Sequence, residues 1–365
     1  FKLVRSLLDP RMKLISDEKT AEGAFGIVKP WCGALATLRY FSQKPEDFVA
    51  LRDLCREHNE AIYAKIDKEV GEETLKVLAD VAPQGNSGDH LRQDDDGLLP
   101  SFMYLTDGDD GCMPVAGNLE VYTARTLALL GRALNKVFSK DIQFLNQDGI
   151  EVQAAPSKTF VRMFNKLQNP AEHGDPSLQR PRPMRNVDVI RAILVVEKAE
   201  GMLKAFDALA SKYEVLRVKN SHDLSYGYIG YRTVLVNIAY RTGVTFKQVF
   251  GDTGRFDKSI NAMHPTAKDD TGKMWCDYAQ TLGQSEAWLW SLMPLWRTAR
   301  LEPNREIVLS AEVQLVYRPY MAGRSLSHLL YKISRCNTGA DEMNRDFGHG
   351  GIKQWSDEDK TKREA

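Results

Sequence analysis

Long apolar runs are missing from this 365-residue sequence. Its most strongly apolar segment, residues 287–296, is about half a membrane span and is broken by Pro294, so no transmembrane helix is expected. An excess of either charge is missing too. Lys plus Arg and Asp plus Glu number 49 each, so no net field draws the molecule to nucleic acid or to an anionic membrane. Anion binding therefore has to come from local clusters of basic residues. Cysteine is scarce and scattered: Cys32, Cys55, Cys112, Cys276 and Cys336 form no CxxC pair, and the nearby histidines lack zinc-ligand spacing. Buried reduced thiols in an intracellular compartment are expected. The acidic stretch Asp107-Gly108-Asp109-Asp110-Gly111 lacks the alternating carboxylates and the closing Glu of a calcium loop, and reads as a surface turn. There is no internal repeat and no nucleic-acid-binding module.

What is present is an ordinary globular composition. A hydrophobic content of 43% supports a sizeable core, and the length favours two domains. We expect a mainly helical domain over residues 1–150, an α+β domain over 151–340, and a polar tail over 341–365. The chain starts at Phe1 rather than Met, which fits removal of an upstream segment such as a transit peptide. The expected setting is intracellular, either cytoplasmic or organellar.

Hydrophobic spacing sets the expected elements. Pro45, Glu46 and Asp47 open a helix carrying Phe48, Leu51, Leu54 and Cys55, and residues 72–81 give a shorter one. Polar loops follow at 83–88 and 94–97. Residues 118–140 carry a stripe of Val121, Tyr122, Leu127, Leu130, Leu134, Val137 and Phe138. Beyond Pro156 the pattern becomes helix 158–167, buried strand 187–197, helix 198–213, strands 215–219, 231–240 and 308–316, then helix 322–334. Such an order indicates a mixed β-sheet with flanking helices. A long interruption, about 245–304, separates the last two strands.

Within these elements stand two acids, Asp188 at the start of the first strand and Glu312 in the last. A buried ionised carboxylate needs a partner, a metal or an open cleft. Lys158, Arg162 and Lys166 fall at i, i+4 and i+8, and Arg191, Arg217 and Lys219 lie on the strands. Two carboxylates beside converging cations suit phosphoryl or pyrophosphoryl transfer. Ordinary ion pairs at strand ends would give the same spacing.

The ordered set Lys158-x-x-x-Arg162-Met-x-x-Lys166, Val-Asp188-Val-Ile-Arg191-Ala-Ile, Arg217-Val-Lys219, Gly230-Tyr231, Glu312-Val-Gln314 and His328-x-x-Tyr331-Lys332 resembles the RelA/SpoT alarmone-synthetase domain over about 156–335. The resemblance implies a nucleotidyltransferase-like sheet that moves pyrophosphate from ATP to the 3′-hydroxyl of GDP or GTP. It implies that Asp188 holds Mg²⁺ and that Glu312 activates the hydroxyl or shares the metal. Lys158, Lys166, Arg217 and Lys219 would grip phosphates, Tyr231 would stack on guanine, and Arg191, Gln314 and His328 would complete the substrate-binding set.

The chain also departs from the family. Asn-Ser-His-Asp-Leu-Ser-Tyr-Gly-Tyr follows Lys219 in place of Asp-Tyr-Ile and a Pro-Lys pair. Leu235 stands where a His is usual, and Val316 where an Arg is. No histidine-aspartate motif of the companion hydrolase domain is present in the first half of the chain. Losing such groups removes orders of magnitude in rate, so a pseudoenzyme serving as a structural or interaction subunit is the alternative. Trp288, Trp290 and Trp296 in the interruption form either a docking element for a protein partner, over about 285–300, or the private core of that insertion.

Overall fold

The computed structural model describes residues 45–82, 91–100, 119–167, 169, 172–223, 231–251, 294–295, 298–299 and 301–334. The chain divides into two compact units. One is built from residues 1–80, 221–233 and 316–365, the other from 81–220 and 234–315. The first is helical in its described part, and the second carries the sheet.

In the helical unit, α1 (Pro45–Val70) opens with proline and two acids, Glu46 and Asp47, where the first turn has amides without partners. Gly71 ends it: its amide donates to the Asp67 carbonyl at 3.0 Å, and its φ of 86° is a conformation that glycine adopts without strain. A short α2 (Glu72–Ala79) follows. Helix α6 (Pro319–Ser334), again begun by proline, packs on α1 where Gly323 leaves room for Ile62, Tyr63 and Ile66. Tyr63 stacks on Tyr320 with ring centres 6.3 Å apart and shares a 3.0 Å hydroxyl hydrogen bond with Ser327. Cys55 is buried on the inner face of α1.

The sheet unit contains α3 (Leu119–Asp141), β1 (Ile150–Ala154), α4 (Phe160–Leu167), β2 (Arg191–Val196), α5 (Ala199–Lys212), β3 (Glu214–Asn220), β4 (Val234–Thr245) and most of β5 (Glu306–Tyr317). The strand order is β1-β2-β5-β4-β3. Pairs β1/β2, β3/β4 and β4/β5 are antiparallel, and the sheet is mixed. The expected α+β class, a mixed sheet with flanking helices, is the observed one.

Central β5 is buried from Ile307 through Val316: Ile307, Leu309, Ala311, Val313 and Leu315 alternate onto one apolar face, and Ser310, Glu312 and Gln314 onto the other. Each buried Ile, Leu or Val side chain there contributes about 1.5–3 kcal/mol. Helix α3 lays Leu127, Leu130, Leu134 and Phe138 into the core, and Phe138 meets Tyr240 of β4 edge-on at 4.9 Å. Helix α5 buries Met202, Ala205 and Leu209.

Three local expectations shift. The first paired strand is β1, an edge strand missed in the sequence, whose Glu151 is exposed. The strand expected from 187 begins at Arg191. Ahead of it, the Val187 carbonyl accepts from Asn237 Nδ2 (3.1 Å) and Ser310 Oγ (3.2 Å), and the Val189 carbonyl accepts from the Lys158 amide (2.8 Å). Residues 187–189 are thus pinned by side chains and a loop amide rather than by a β-ladder, and Asp188 sits in a turn. Helix α4 starts at Phe160, so Lys158 precedes the helix instead of sharing a face with Arg162 and Lys166.

The loop expected at 94–97 is polar but anchored. Buried Gln93 donates to the carbonyls of Asn186 and Ser310 and accepts from the Ser310 amide, while Leu98 and Leu99 are buried. No helix among the described residues is long and apolar enough to cross a membrane. The calcium-like stretch 107–111, Trp288, Trp290, Trp296 and the polar tail lie outside the described residues.

Candidate functional site

The sheet register builds one wall of a polar cleft. Arg217 of β3 pairs with Asn237 of β4, which pairs with Glu312 of β5; one row over, Lys219 pairs with Leu235, which pairs with Gln314. Side chains two residues apart share a face, so Arg217, Lys219, Glu312 and Gln314 lie on the same side of the sheet. The Arg217 guanidinium donates to Asn237 Oδ1 at 3.0 and 2.8 Å, which fixes its direction. Gln314 Nε2 donates to Glu312 Oε1 at 2.6 Å, and Glu312 is only 8% exposed.

The turn before β2 and the end of α4 complete the walls. A cleft of about 470 Å³ is lined by Asp188, Glu312, Lys166, Arg217 and Lys219, together with Arg185, Glu172, His173, Val187 and Leu91. Of the residues singled out in the sequence, five meet here: both acids, Lys166, Arg217 and Lys219. Lys158 lies behind them, 6% exposed, and its ammonium donates to Asp188 Oδ2. Lys166 Nζ stands 3.9 Å from Asp188 Oδ1. Arg191, at the start of β2, reaches the Pro156 carbonyl at 3.5 Å and is not part of the lining.

Tyr231 and His328 belong to the helical unit. There the Tyr231 ring meets Tyr331 edge-on at 5.2 Å, with the Arg324 guanidinium 5.1 Å from its centre, and His328 is exposed on α6.

Charge is unevenly balanced in the cleft. Burial alone would raise the Asp188 carboxyl, but the Lys158 and Lys166 ammoniums outweigh it and hold the group well below the usual carboxylate range. Burial pushes the Lys158 ammonium down; Asp188 pulls it back up, and Lys166 opposes that pull. His173, 8% exposed, is driven down to about 2 by burial and then by Lys166 and Lys158, so its ring is neutral. His173 and Arg185 were not found in the sequence. Both sit in the Pro- and charge-rich stretch between α4 and β2, where only docking of the loop reveals what faces inward.

A wider cavity of about 720 Å³ at the β1–β2 end is lined by Asp148, Glu151, Glu197 and Glu200 against Lys198 and Lys204. That excess of acid suits phosphates poorly. The cleft beside Asp188 has the opposite balance, with four cations facing three carboxylates. Among the described residues no cluster of three or more His, Cys, Asp or Glu is arranged to hold a metal by itself. Two carboxylates in a cleft fit Mg²⁺, which usually keeps waters and takes substrate phosphates alongside one or two carboxylates.

No family model matches this chain, and neither a curated protein nor a solved structure does.

Proposed function

We propose that the sheet unit is a divergent RelA/SpoT-like domain whose cleft binds the phosphates of a nucleotide. The observation that carries this reading is the meeting of Asp188 and Glu312 in one polar cleft with Lys166, Arg185, Arg217 and Lys219. Cations that only donate hydrogen bonds match phosphate oxygens, and Arg185 and Arg217 add planar donor forks. Asp188 and Glu312 would hold Mg²⁺, which when bound would neutralise charge on the moving phosphoryl group.

In the reaction that the resemblance implies, the 3′-oxygen of GDP or GTP bonds to the β-phosphorus of ATP. The bond from that phosphorus to the AMP oxygen breaks, AMP leaves, and the hydroxyl proton passes to Glu312. Lys166, Arg217 and Lys219 would hold the phosphates while Glu312, oriented by Gln314, takes the proton.

A second reading keeps binding or scaffolding without chemistry. Leu235 is the middle residue of the row Lys219–Leu235–Gln314, an apolar side chain on a face otherwise supplied with polar groups. Incubation with ATP, GDP and Mg²⁺ separates the two. The transfer reading expects a pyrophosphorylated guanine nucleotide, and a drop of about 100-fold or more in Glu312→Gln. Thermal stabilisation by nucleotide without product leaves a binding pseudoenzyme, and neither product nor stabilisation leaves the scaffold role alone.

A further inference from the structure

The cleft contains one polar side chain that its electrostatics leave uncharged. His173 hangs from the end of α4: its amide donates to the Lys166 carbonyl at 3.1 Å, and the amides of Glu172 and Gly174 donate to the Asn169 carbonyl at 3.0 and 2.8 Å. That compact turn seats the ring beside the residue whose ammonium approaches Asp188. The ring lines the cleft, is more than nine-tenths buried, and has its Nδ1 buried with no hydrogen-bond partner. A buried polar atom without a partner is uncommon, and an absent ligand or water is one physical reason for it.

Hydrogen-bonding capacity narrows what such a group can recognise. Lys166, Arg185, Arg217 and Lys219 only donate, while the carboxylates of Glu172, Asp188 and Glu312 accept. A neutral imidazole does both, with one N–H and one lone pair, and among the lining residues it is the one that does. A sugar hydroxyl has the same dual character, whereas a phosphate oxygen does not. We propose that His173 is a specificity-determining residue of the cleft, hydrogen-bonding a ribose hydroxyl of the bound nucleotide and so distinguishing ribonucleotide from deoxyribonucleotide and from bare polyphosphate. The proposal rests on the reading of the cleft as a nucleotide site. Burial among lysines keeps the ring neutral and able to accept as well as donate.

The test is calorimetric titration of the full chain with GDP, 2′,3′-dideoxy-GDP and inorganic pyrophosphate in the presence of Mg²⁺. The wild type is expected to favour GDP over the dideoxy form by about 10-fold or more, the effect of one well-placed hydrogen bond. His173→Phe should cut that ratio at least three-fold, leaving the share that Glu312 contributes through the 3′-hydroxyl, and its loss of affinity should fall at least several-fold more on GDP than on pyrophosphate. His173→Gln, which keeps a donor and an acceptor, should restore part of the discrimination and guards against a folding defect in the Phe variant. Undiminished discrimination in a folded His173→Phe protein overturns the proposal while leaving the nucleotide site standing. Pyrophosphate binding with equal affinity for GDP and its dideoxy form in the wild type also overturns it. Binding of none of the three ligands removes the underlying reading as well.

Discussion

Asp67 in the helical unit and Asp188 in the sheet unit are almost equally buried, at 19% and 17% side-chain exposure, yet their partners differ in kind. Asp67 accepts from the Arg232 guanidinium at 2.8 Å and from the Tyr320 hydroxyl at 2.7 Å, and Arg232 in turn donates to the Ser221 carbonyl. Burial, reinforced by the hydrogen bond to Asp67, pushes the Tyr320 phenol far above its ordinary value, so it donates at any physiological pH. A planar fork and a phenol locked by aromatic neighbours make a closed structural joint. Asp188 is met instead by two ammoniums on long flexible stems and lines a cleft. Ammonium groups are point charges that a ligand cation can replace, whereas a guanidinium fork is tied to its geometry. Burial of an acid alone therefore says little about function. The identity of its partners and the space beside it say more.

The largest expected effect tests that contrast directly. Asp188→Leu leaves Lys158 and Lys166 facing each other in a buried setting and should cost about 3–5 kcal/mol by urea denaturation. Adding Lys158→Met should recover most of the loss, since the pair then disappears together. A cost below about 1 kcal/mol for the single variant would mean that Asp188 is not the group balancing the lysines.

The next effect concerns acid. Burial, then Arg232, lowers His222 in the helical unit from its ordinary 6.5 to about 3. The unfolded chain binds a proton below about 6.5 that the folded unit refuses until about 3. The stability associated with the neutral ring is complete above pH 6.5 and is lost as pH falls. At pH 5 the loss is about 2 kcal/mol. His222→Leu should flatten this part of the acid limb in thermal unfolding from pH 7 to pH 5, leaving the component due to His173 in the sheet unit. An unchanged acid limb would show that His222 opens to solvent before the unit unfolds.

The smallest effect separates two helical glycines. A Cβ on Gly131 of α3 would stand 2.6 Å from Val189 Cγ1 and 3.2 Å from the Val189 carbonyl oxygen, next to Asp188. On Gly323 of α6 it would meet Ile66 Cδ1 at 2.4 Å, the end of a flexible side chain. Gly131→Ala should cost about 1 kcal/mol, because backbone has to move. Gly323→Ala should fall within about 0.5 kcal/mol of zero, the helix propensity of alanine offsetting the shift of Ile66. Equal losses in chemical denaturation would break the distinction.

How much of this was legible in the sequence follows from how local each signal is. Strands β4 and β5 announce themselves through alternating or continuous apolar residues, and α3 through its stripe. β1 escaped notice because Ile150, Val152 and Ala154 form a short, weak alternation whose pairing with residues 192–196 is non-local. The approach of Asp188 to Glu312 was expected only through the resemblance, since no spacing rule joins residues so far apart. Gln93, His173 and Arg185 were out of reach: each lies in a stretch whose composition reads as solvated loop, with Gln93 turned inward by bonds to distant Met184 and Ser310 and His173 by its amide bond to the Lys166 carbonyl. The departures at Leu235 and Val316 were readable as letters, but only the strand register gave Leu235 its place beside Lys219.

The helical unit is stitched from segments far apart in the chain, and this has a consequence during synthesis. Helix α1 leaves the ribosome roughly 250 residues before α6, the helix that covers Tyr63 and Ile66. At translation rates of about 5–20 residues per second, α1 waits on the order of ten seconds or longer for α6. Nascent chains of this protein therefore leave the α6-facing side of α1 unpaired until late in elongation, and occupancy by a holdase chaperone should peak before residue 319 emerges.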